Sequence, residues 1–453
     1  MKKYDVIVIG GGPSGCHTAL SAARGGADVL LVEEFGFLGG ALTAMGVGPM
    51  MSFHNRSSEQ VIYGTPQEMV DRMVAMGVSE GHIFDTTGYC STVTPFDSEG
   101  LKITLETMLC EAGVEILFHT RLIAAQRTSG NIESVTIHNR GGVQQLYSTI
   151  FVDATGDGEL VRCAKLPFIL GREEDNKTQP LTMNLKVSGV DSVTLRRYIK
   201  EHWSQFVDKE REAQGAEILD LSSRVSMWGF YDLWQRAKEQ GEISIPRDNI
   251  LFFETNTAGT YIFNTSRVLE VDPTNPYQMS RAEMEGRKQC WELFSFLKKY
   301  APGFESATLV ATPVHIGIRE SRHPEAKYVM CAEDIMCGRK FDDRIALGGY
   351  PIDIHSPDGG ETTTTHLQGE GIYSIPLRST MVEGCDNLLL VGRAIGADHH
   401  ASAAIRLTPI AMAIGQGVGT LASIAIAEGC QLHDVEYSAL RERLIAEGVR
   451  LDY

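Results

Sequence analysis

Gly10, Gly12 and Gly15 fall in the pattern Gly-x-Gly-x-x-Gly, and an acid, Glu33, ends the next apolar run. These residue types in this order do a specific job. Gly10 permits a tight turn, Gly12 lets a diphosphate approach the backbone, and Gly15 lets helix and strand pack closely. Pro13 and Ser14 open the helix, whose free N–H groups and positive dipole end face that diphosphate. Glu33 can bond ribose hydroxyls, and an acid there argues against a 2′-phosphate and hence against NADP. A second group of residues could handle anions and protons. Arg319 and Arg322 flank Glu320 and Ser321, Arg378 follows a proline, and His355 heads a Ser-Pro-Asp-Gly turn. Arginine binds carboxylates bidentately or offsets negative charge on a reduced cofactor, and histidine titrates near neutral pH. His54, in a glycine-rich apolar stretch, joins this set as a catalytic candidate. His366, His399 and His400 have no Cys or carboxylate at ligand spacing, so no metal site is predicted.

Local patterns indicate the elements that must hold these groups. Residues 4–9 are a β-branched run apolar on both faces, as a central parallel strand requires. A helix over residues 13–24 stops at Gly25-Gly26, and a strand over 28–32 follows. A long irregular insertion spans 35–95, then come a helix over 99–112 and a strand-like stretch, 115–125, holding Arg121 and Leu122. Residues 150–158 and 387–393 are two further apolar strands running into glycine turns. The middle of the chain predicts helices over 192–214 and 278–300, with strands over 181–187, 251–254, 261–271 and 307–318. The stretch 410–427 is apolar but contains Gln416 and several glycines, so it reads as a buried helix, not a membrane span.

Several of these segments together resemble a known family. They are Gly10–Gly15, Glu33, Gly39-Gly40, the Asp153–Gly158 turn, Gly317-Ile318-Arg319-Glu320-Ser321-Arg322, Ile354-His355-Ser356-Pro357-Asp358-Gly359 and Gly392-Arg393. The set resembles the FAD-dependent oxidoreductases of the glutathione-reductase structural superfamily. More narrowly, it is similar to a bacterial subgroup related to fumarate-reductase-type flavoproteins. The resemblance implies FAD as cofactor. It implies that Ala154, Thr155, Gly156 and Asp157 lie beside the FAD, and that the segment from Gly392 closes over flavin and ribityl chain. It also implies that Arg378 lies near the active site. The cofactor-binding candidates are completed by Glu34, Gly39, Gly40, Arg121, Leu122, Arg393, Gly415 and Gln416. The expected fold class is α/β: a Rossmann-type FAD/NAD(P)-binding domain of the ββα type, with an inserted α+β substrate domain. Residues 1–160 and 345–453 form the first, and 161–344 the second.

Absent motifs narrow the chemistry. No second Gly-x-Gly-x-x-Gly follows a strand, so a separate nicotinamide domain is not expected. No Cys-x4-Cys follows the first unit, which argues against a redox disulfide beside the flavin. Gly396-Ala397-Asp398-His399-His400 departs from the hydroxylase pattern Gly-Asp-Ala-x-His. Nine scattered cysteines without a Cys-x-x-Cys read as reduced thiols and exclude iron–sulfur spacings. The 453 residues carry a net charge of −17, which argues against nucleic acid or an anionic membrane as main partner. Hydrophobic residues at 43% exclude a mainly disordered chain. The apolar run before the glycines is too short for a signal peptide, and a cytoplasmic location is expected. The expected activity is hydride transfer between flavin N5 and a small polar or anionic organic substrate, in either direction. A flavoprotein subunit of an electron-transfer complex, served by a separate electron donor or acceptor, is the alternative. A non-redox FAD-binding or RNA-modifying protein is a third reading, which the charge disfavours. Homo-oligomerisation stays open.

Overall fold

The computed structural model describes residues 2–453, without the side chains of Lys209 and Glu210. The amino-terminal pattern folds as its periodicity requires. Strand Lys3–Ile9 runs parallel to Val29–Val32 on one side, with Val6 opposite Val29. On the other side it runs parallel to the end of Gly142–Asp153, with Val6 opposite Ile150. Glu115–Leu117 and Leu388–Leu390 complete the parallel part of a seven-stranded sheet. The first half of Gly142–Asp153 belongs instead to an antiparallel meander with Asn131–Asn139 and Arg121–Thr128. One long strand thus joins two sheet types, and its carboxyl end delivers the Asp153–Gly158 turn beside Gly10.

Helix Pro13–Arg24 lies on this sheet, and helix Thr408–Glu428 lies against it. The second helix is long and apolar enough to cross a membrane, yet 83% of its apolar window is buried inside the fold. Its glycines explain the close approach. A Cβ at Gly415 would sit 2.2 Å from the Ser14 carbonyl oxygen, and one at Gly419 2.3 Å from that of Thr18.

A second apolar core forms between residues 181 and 318. Its five strands are antiparallel, in the order Ser226–Gly229, Ile250–Glu254, Tyr261–Phe263, Leu185–Ser188, Thr308–Ala311. Helix Pro276–Tyr300, capped by the Asn275 side chain, packs on this core, with Phe296 edge-on to Trp234 at 5.0 Å. The predicted helix over 192–214 is broken. It ends at Glu201, and Trp203, Phe206 and Val207 turn inward before a new short helix starts at the Asp208 cap. Burial of that aromatic cluster outweighs helix propensity there. The strands expected over 261–271 and 307–318 are also shorter, Tyr261–Phe263 and Thr308–Ala311. Pro313 and Gly317 help stop the second of these.

Buried His17, on helix Pro13–Arg24, faces the first residue of helix Thr65–Ala75. Its Nδ1 pairs with Thr65 Oγ1 at 2.9 Å. Burial pushes its pKa down from 6.5 to about 3. Below pH 6.5 the unfolded chain takes up a proton that the folded chain refuses, so stability falls as the solution is acidified. Between pH 6.5 and 4 this one group should remove about 3 kcal/mol. Denaturant melts of wild type and His17→Asn at both pH values check this. The variant is expected to lose about that much less on acidification.

Candidate active site

The glycine loop lies between strand Lys3–Ile9 and helix Pro13–Arg24, and each glycine has a separate role. Gly10 has φ +107°, and a Cβ there would lie 2.4 Å from the Ala154 carbonyl oxygen. A Cβ on Gly15 would lie 1.9 Å from the Gly10 oxygen. Gly12 differs: its nearest neighbour to an added Cβ is Gly40 Cα, at 4.0 Å. The space over Gly12 is therefore open, and no side chain caps the helix behind it. Open backbone in front of unsatisfied N–H groups fits a diphosphate. Gly39 and Gly40, both at positive φ, close one side of this loop, with Gly39 N–H donating to Gly11 O at 2.9 Å.

Glu33 is buried at the end of its strand. Its carboxylate accepts from Gly11 N at 2.6 Å and Phe35 N at 2.8 Å. Burial pushes its pKa up to about 7 against those two hydrogen bonds. The oxygens keep lone pairs for ribose hydroxyls. Glu34 turns outward and pairs with Arg121 at 3.0 Å, while Leu122 sits beside Arg121 in the meander, opposite Ile137.

On the other side of the loop, Thr155 turns back to buried Asp153, which also accepts from Leu160 N at 2.8 Å. Gly156 has φ +75° and faces the Arg393 guanidinium. Arg393 pairs with Asp157, which also receives Ser321 Oγ–H at 2.6 Å. Burial alone would raise the Asp157 pKa, but Arg393 and Ser321 hold it below the usual carboxylate range. Gly392, at φ +69°, comes close to Ser14. Ala154, Thr155, Gly156, Asp157, Gly392 and Arg393 are thus gathered around the glycine loop.

Arg319 lies in a different environment. It donates to Pro180 O at 2.7 Å, Thr182 Oγ1 at 2.6 Å and Asn264 Oδ1 at 3.2 Å. Arg406, Arg267 and Arg247 surround it, and Asp353 is the nearby carboxylate. Arg406 donates to Gln179 Oε1 and to the Asp353 backbone. Arg267 is buried and directs both terminal nitrogens inward, to Gly359 O, Glu361 O, Thr362 Oγ1 and His355 Nδ1. Burial and the three other guanidinium groups push Arg319 well below the usual arginine range. With Glu320 beside Arg406 and exposed Asp248 beside Arg247 and Arg267, four guanidinium groups face three carboxylates, a local excess of positive charge inside a protein whose net charge is −17.

His355 belongs to this cluster. Its Nδ1 accepts from Arg267 at 2.8 Å, so Nε2 carries the hydrogen and faces Asp353 Oδ2 at 3.3 Å. Burial, then Arg319, drives its pKa well below 6.5. Both ring nitrogens are occupied, by Arg267 and Asp353, and tie His355 into the cluster. Asp353, which burial alone would protonate, is held ionised by His355, Arg406 and Arg319.

Four expectations change. Arg322 donates to Asp157 O and Glu159 Oε1 at 2.8 and 2.7 Å and ties the two segments together. Arg378 is half-exposed and paired with Asp343 at 2.9 Å, over the Tyr328 ring. His54 bonds Thr92 Oγ1 at 2.9 Å and packs on His82, in a network of the insertion. Gly415 and Gln416 are engaged within the helix packing. Gly415 is a helix-packing glycine, and fully buried Gln416 accepts from Thr65 N and Oγ1 at 2.8 and 3.1 Å. The residues missed from sequence are Arg247, Arg267, Arg406, Asp353 and Gln179. Arg406 had a visible signal, because it is the one charged residue across 399–427.

A digeranylgeranylglycerophospholipid reductase of Methanospirillum hungatei is 25% identical over 167 residues, 34% of this chain and only 39% of that protein. An uncharacterized protein from the nifH2 5′ region of Methanosarcina barkeri is 27% identical over 172 residues, 36% of this chain and 87% of that one. A solved geranylgeranyl bacteriochlorophyll reductase-like protein of Thermoplasma acidophilum shares the fold, with a TM-score of 0.51 at 14% identity, over 99% of this chain and 84% of that one. The sequence profile of the FAD dependent oxidoreductase family matches residues 5–444, so the chain belongs to that family and is an oxidoreductase with FAD as its cofactor.

Proposed function

We propose that the enzyme moves a hydride between flavin N5 and a small organic anion held by Arg319 and Arg406. FAD would be held by Gly10–Gly15, Glu33, Gly39-Gly40, the Asp153–Gly158 turn and Gly392-Arg393, and when bound it supplies the hydride chemistry. In this reading residues 1–160 and 345–453 hold the FAD, and 161–344 wall the substrate. The observation that carries it is the cluster of four guanidinium groups around Asp353, of which Arg319 and Arg406 hold hydrogen-bond donors to spare. Like charges so placed repel one another, and a bound anion relieves that repulsion. Arg319 and Arg406 each have N–H groups beyond those bonded to Pro180, Thr182, Asn264, Gln179 and Asp353. Those groups can take a carboxylate bidentately. Arg267, bonded inward, fixes the wall.

Anaerobic absorbance of the flavin band tests this directly. Small mono- and dicarboxylates are expected to shift or bleach the band at millimolar concentration, and their neutral amides are not. Equal responses to acids and amides, or bleaching only by neutral apolar alkenes, would overturn it.

A further inference from the structure

We propose that His399, held in one tautomer by Glu320, is the proton donor and acceptor of this site. The inference rests on the hydride-transfer reading above. Glu320 is buried between Arg319, which faces the cationic cluster, and Ser321, which bonds Asp157 of the dinucleotide turn. Its Oε1 accepts from His399 Nδ1 at 2.7 Å and from His323 Nε2 at 2.8 Å, and its Oε2 accepts from Gln179 N at 2.9 Å. Gln179 continues the connection, because its Oε1 receives Arg406 and His355 N. Burial alone would protonate Glu320, yet the two imidazoles hold its pKa near about 2.

An ionised carboxylate only accepts, so both histidines must donate to it. His399 then carries hydrogen on Nδ1 and His323 on Nε2. The remaining nitrogens differ. His323 Nδ1 is sealed in the protein without a partner. His399 Nε2 also makes no hydrogen bond, but it is not among the sealed atoms and keeps access to the surrounding space. His399 starts the helix His399–Ile405, just past the Gly392–Ala394 turn whose Arg393 pairs with Asp157. It therefore sits at the seam between dinucleotide turn and cationic cluster. His355 has no free nitrogen, and His54 is bonded within the insertion. An acid or base oriented through its second nitrogen by a buried carboxylate is a recurrent catalytic arrangement.

The proton accounting is as follows. In dehydrogenation, bound FAD would accept the electron pair and hydrogen of the substrate's C–H bond. The adjacent O–H or N–H gives its proton to His399 Nε2 as the C=O or C=N bond forms. In reduction the same nitrogen returns a proton to the atom beside the carbon that receives the hydride. Glu320 stabilises the imidazolium in both directions.

Two readouts on the FAD-loaded enzyme separate this from the reading it rests on. Long-range proton–nitrogen NMR with labelled histidine should show, besides His17, His202 and His315, a further Nδ1–H, bare-Nε2 ring that disappears in His399→Gln. With any carboxylate that bleaches wild type, His399→Gln should slow the bleaching about 10²–10⁴-fold, and added imidazole should partly rescue His399→Ala. Dithionite should still reduce the flavin of both variants. A ring at 399 carrying hydrogen on Nε2, or bleaching within threefold of wild type in His399→Gln, would overturn the proposal while hydride transfer stands. If no anion bleaches wild type, the hydride-transfer reading fails, and the tautomer still supports or overturns the assignment of His399.

Discussion

Arg319→Met should lower kcat/KM for the substrate anion by about 100-fold or more, a loss of about 3 kcal/mol from two charge-assisted hydrogen bonds. FAD content should not change, because Arg319 bonds Pro180, Thr182 and Asn264 and none of the residues around the glycine loop. Folding stability should change little. The substitution takes the donor from Pro180 O and Asn264 Oδ1, while Thr182 Oγ1 keeps its bond to Ser266 O, and it also removes one of four mutually repelling cations. Arg319→Lys should recover part of the binding and not all of it, since an ammonium keeps the charge and loses the planar fork. Arg378→Ala is the matched control. Its ion pair with Asp343 is half-exposed, and such pairs contribute about 0–1 kcal/mol, so activity should stay within threefold of wild type. Stopped-flow bleaching of the flavin measures all three variants. Wild-type kinetics in Arg319→Met, or a larger loss in Arg378→Ala, would move the anion site away from this cluster.

The contrast between Arg319 and Arg378 shows what the sequence could reveal. The first strand, glycine loop, helix and Glu33 are legible because local geometry dictates them: a β-branched run, a turn that excludes Cβ atoms, a strand end with an acid. The Asp153–Gly158 turn and Gly392-Arg393 are legible for the same reason, as apolar strands that stop at glycines. The cationic cluster is a product of tertiary packing. Arg247, Arg267, Arg319, Asp353 and Arg406 come from five separate segments, and no spacing in one chain reports their convergence. Gln416 is a related case. A polar residue among glycines resembles a ligand contact, but here it answers the unpaired Thr65 N–H across a helix interface.

The six residues Gly317–Arg322 show how the fold converts sequence proximity into function. Successive side chains serve different neighbours: Arg319 the cationic wall, Glu320 two imidazoles, Ser321 the dinucleotide turn, Arg322 the carboxylate of Glu159. A short extended segment therefore fixes the distance between the proposed anion site and the Asp153–Gly158 turn. Rigid spacing of this kind is what hydride transfer requires, since small misplacement of the reacting atoms is costly.

The largest effect belongs to the glycine loop, and there two substitutions of equal size should separate folding from cofactor binding. Gly15→Ala places a methyl 1.9 Å from the Gly10 carbonyl oxygen and 2.9 Å from Ala154 Cβ. Backbone must shift, so the variant should lose about 3 kcal/mol of stability and purify without flavin. Gly12→Ala adds the same methyl to open space, 4.0 Å from its nearest neighbour. The cofactor-free fold should then change by only about 0.5 kcal/mol. Yet the methyl occupies the ground over which a diphosphate must approach the helix N-terminus, and FAD affinity should fall about 100-fold. Flavin-to-protein ratio, FAD titration of the stripped protein and its thermal melt distinguish the two variants. Tight FAD binding by Gly12→Ala would mean that the diphosphate does not lie over Gly12. A normal melt for Gly15→Ala would mean that the loop and helix can separate. The assignment of the dinucleotide site depends on both results, because it takes the same loop to be closed against Cβ atoms at Gly10 and Gly15 and open at Gly12.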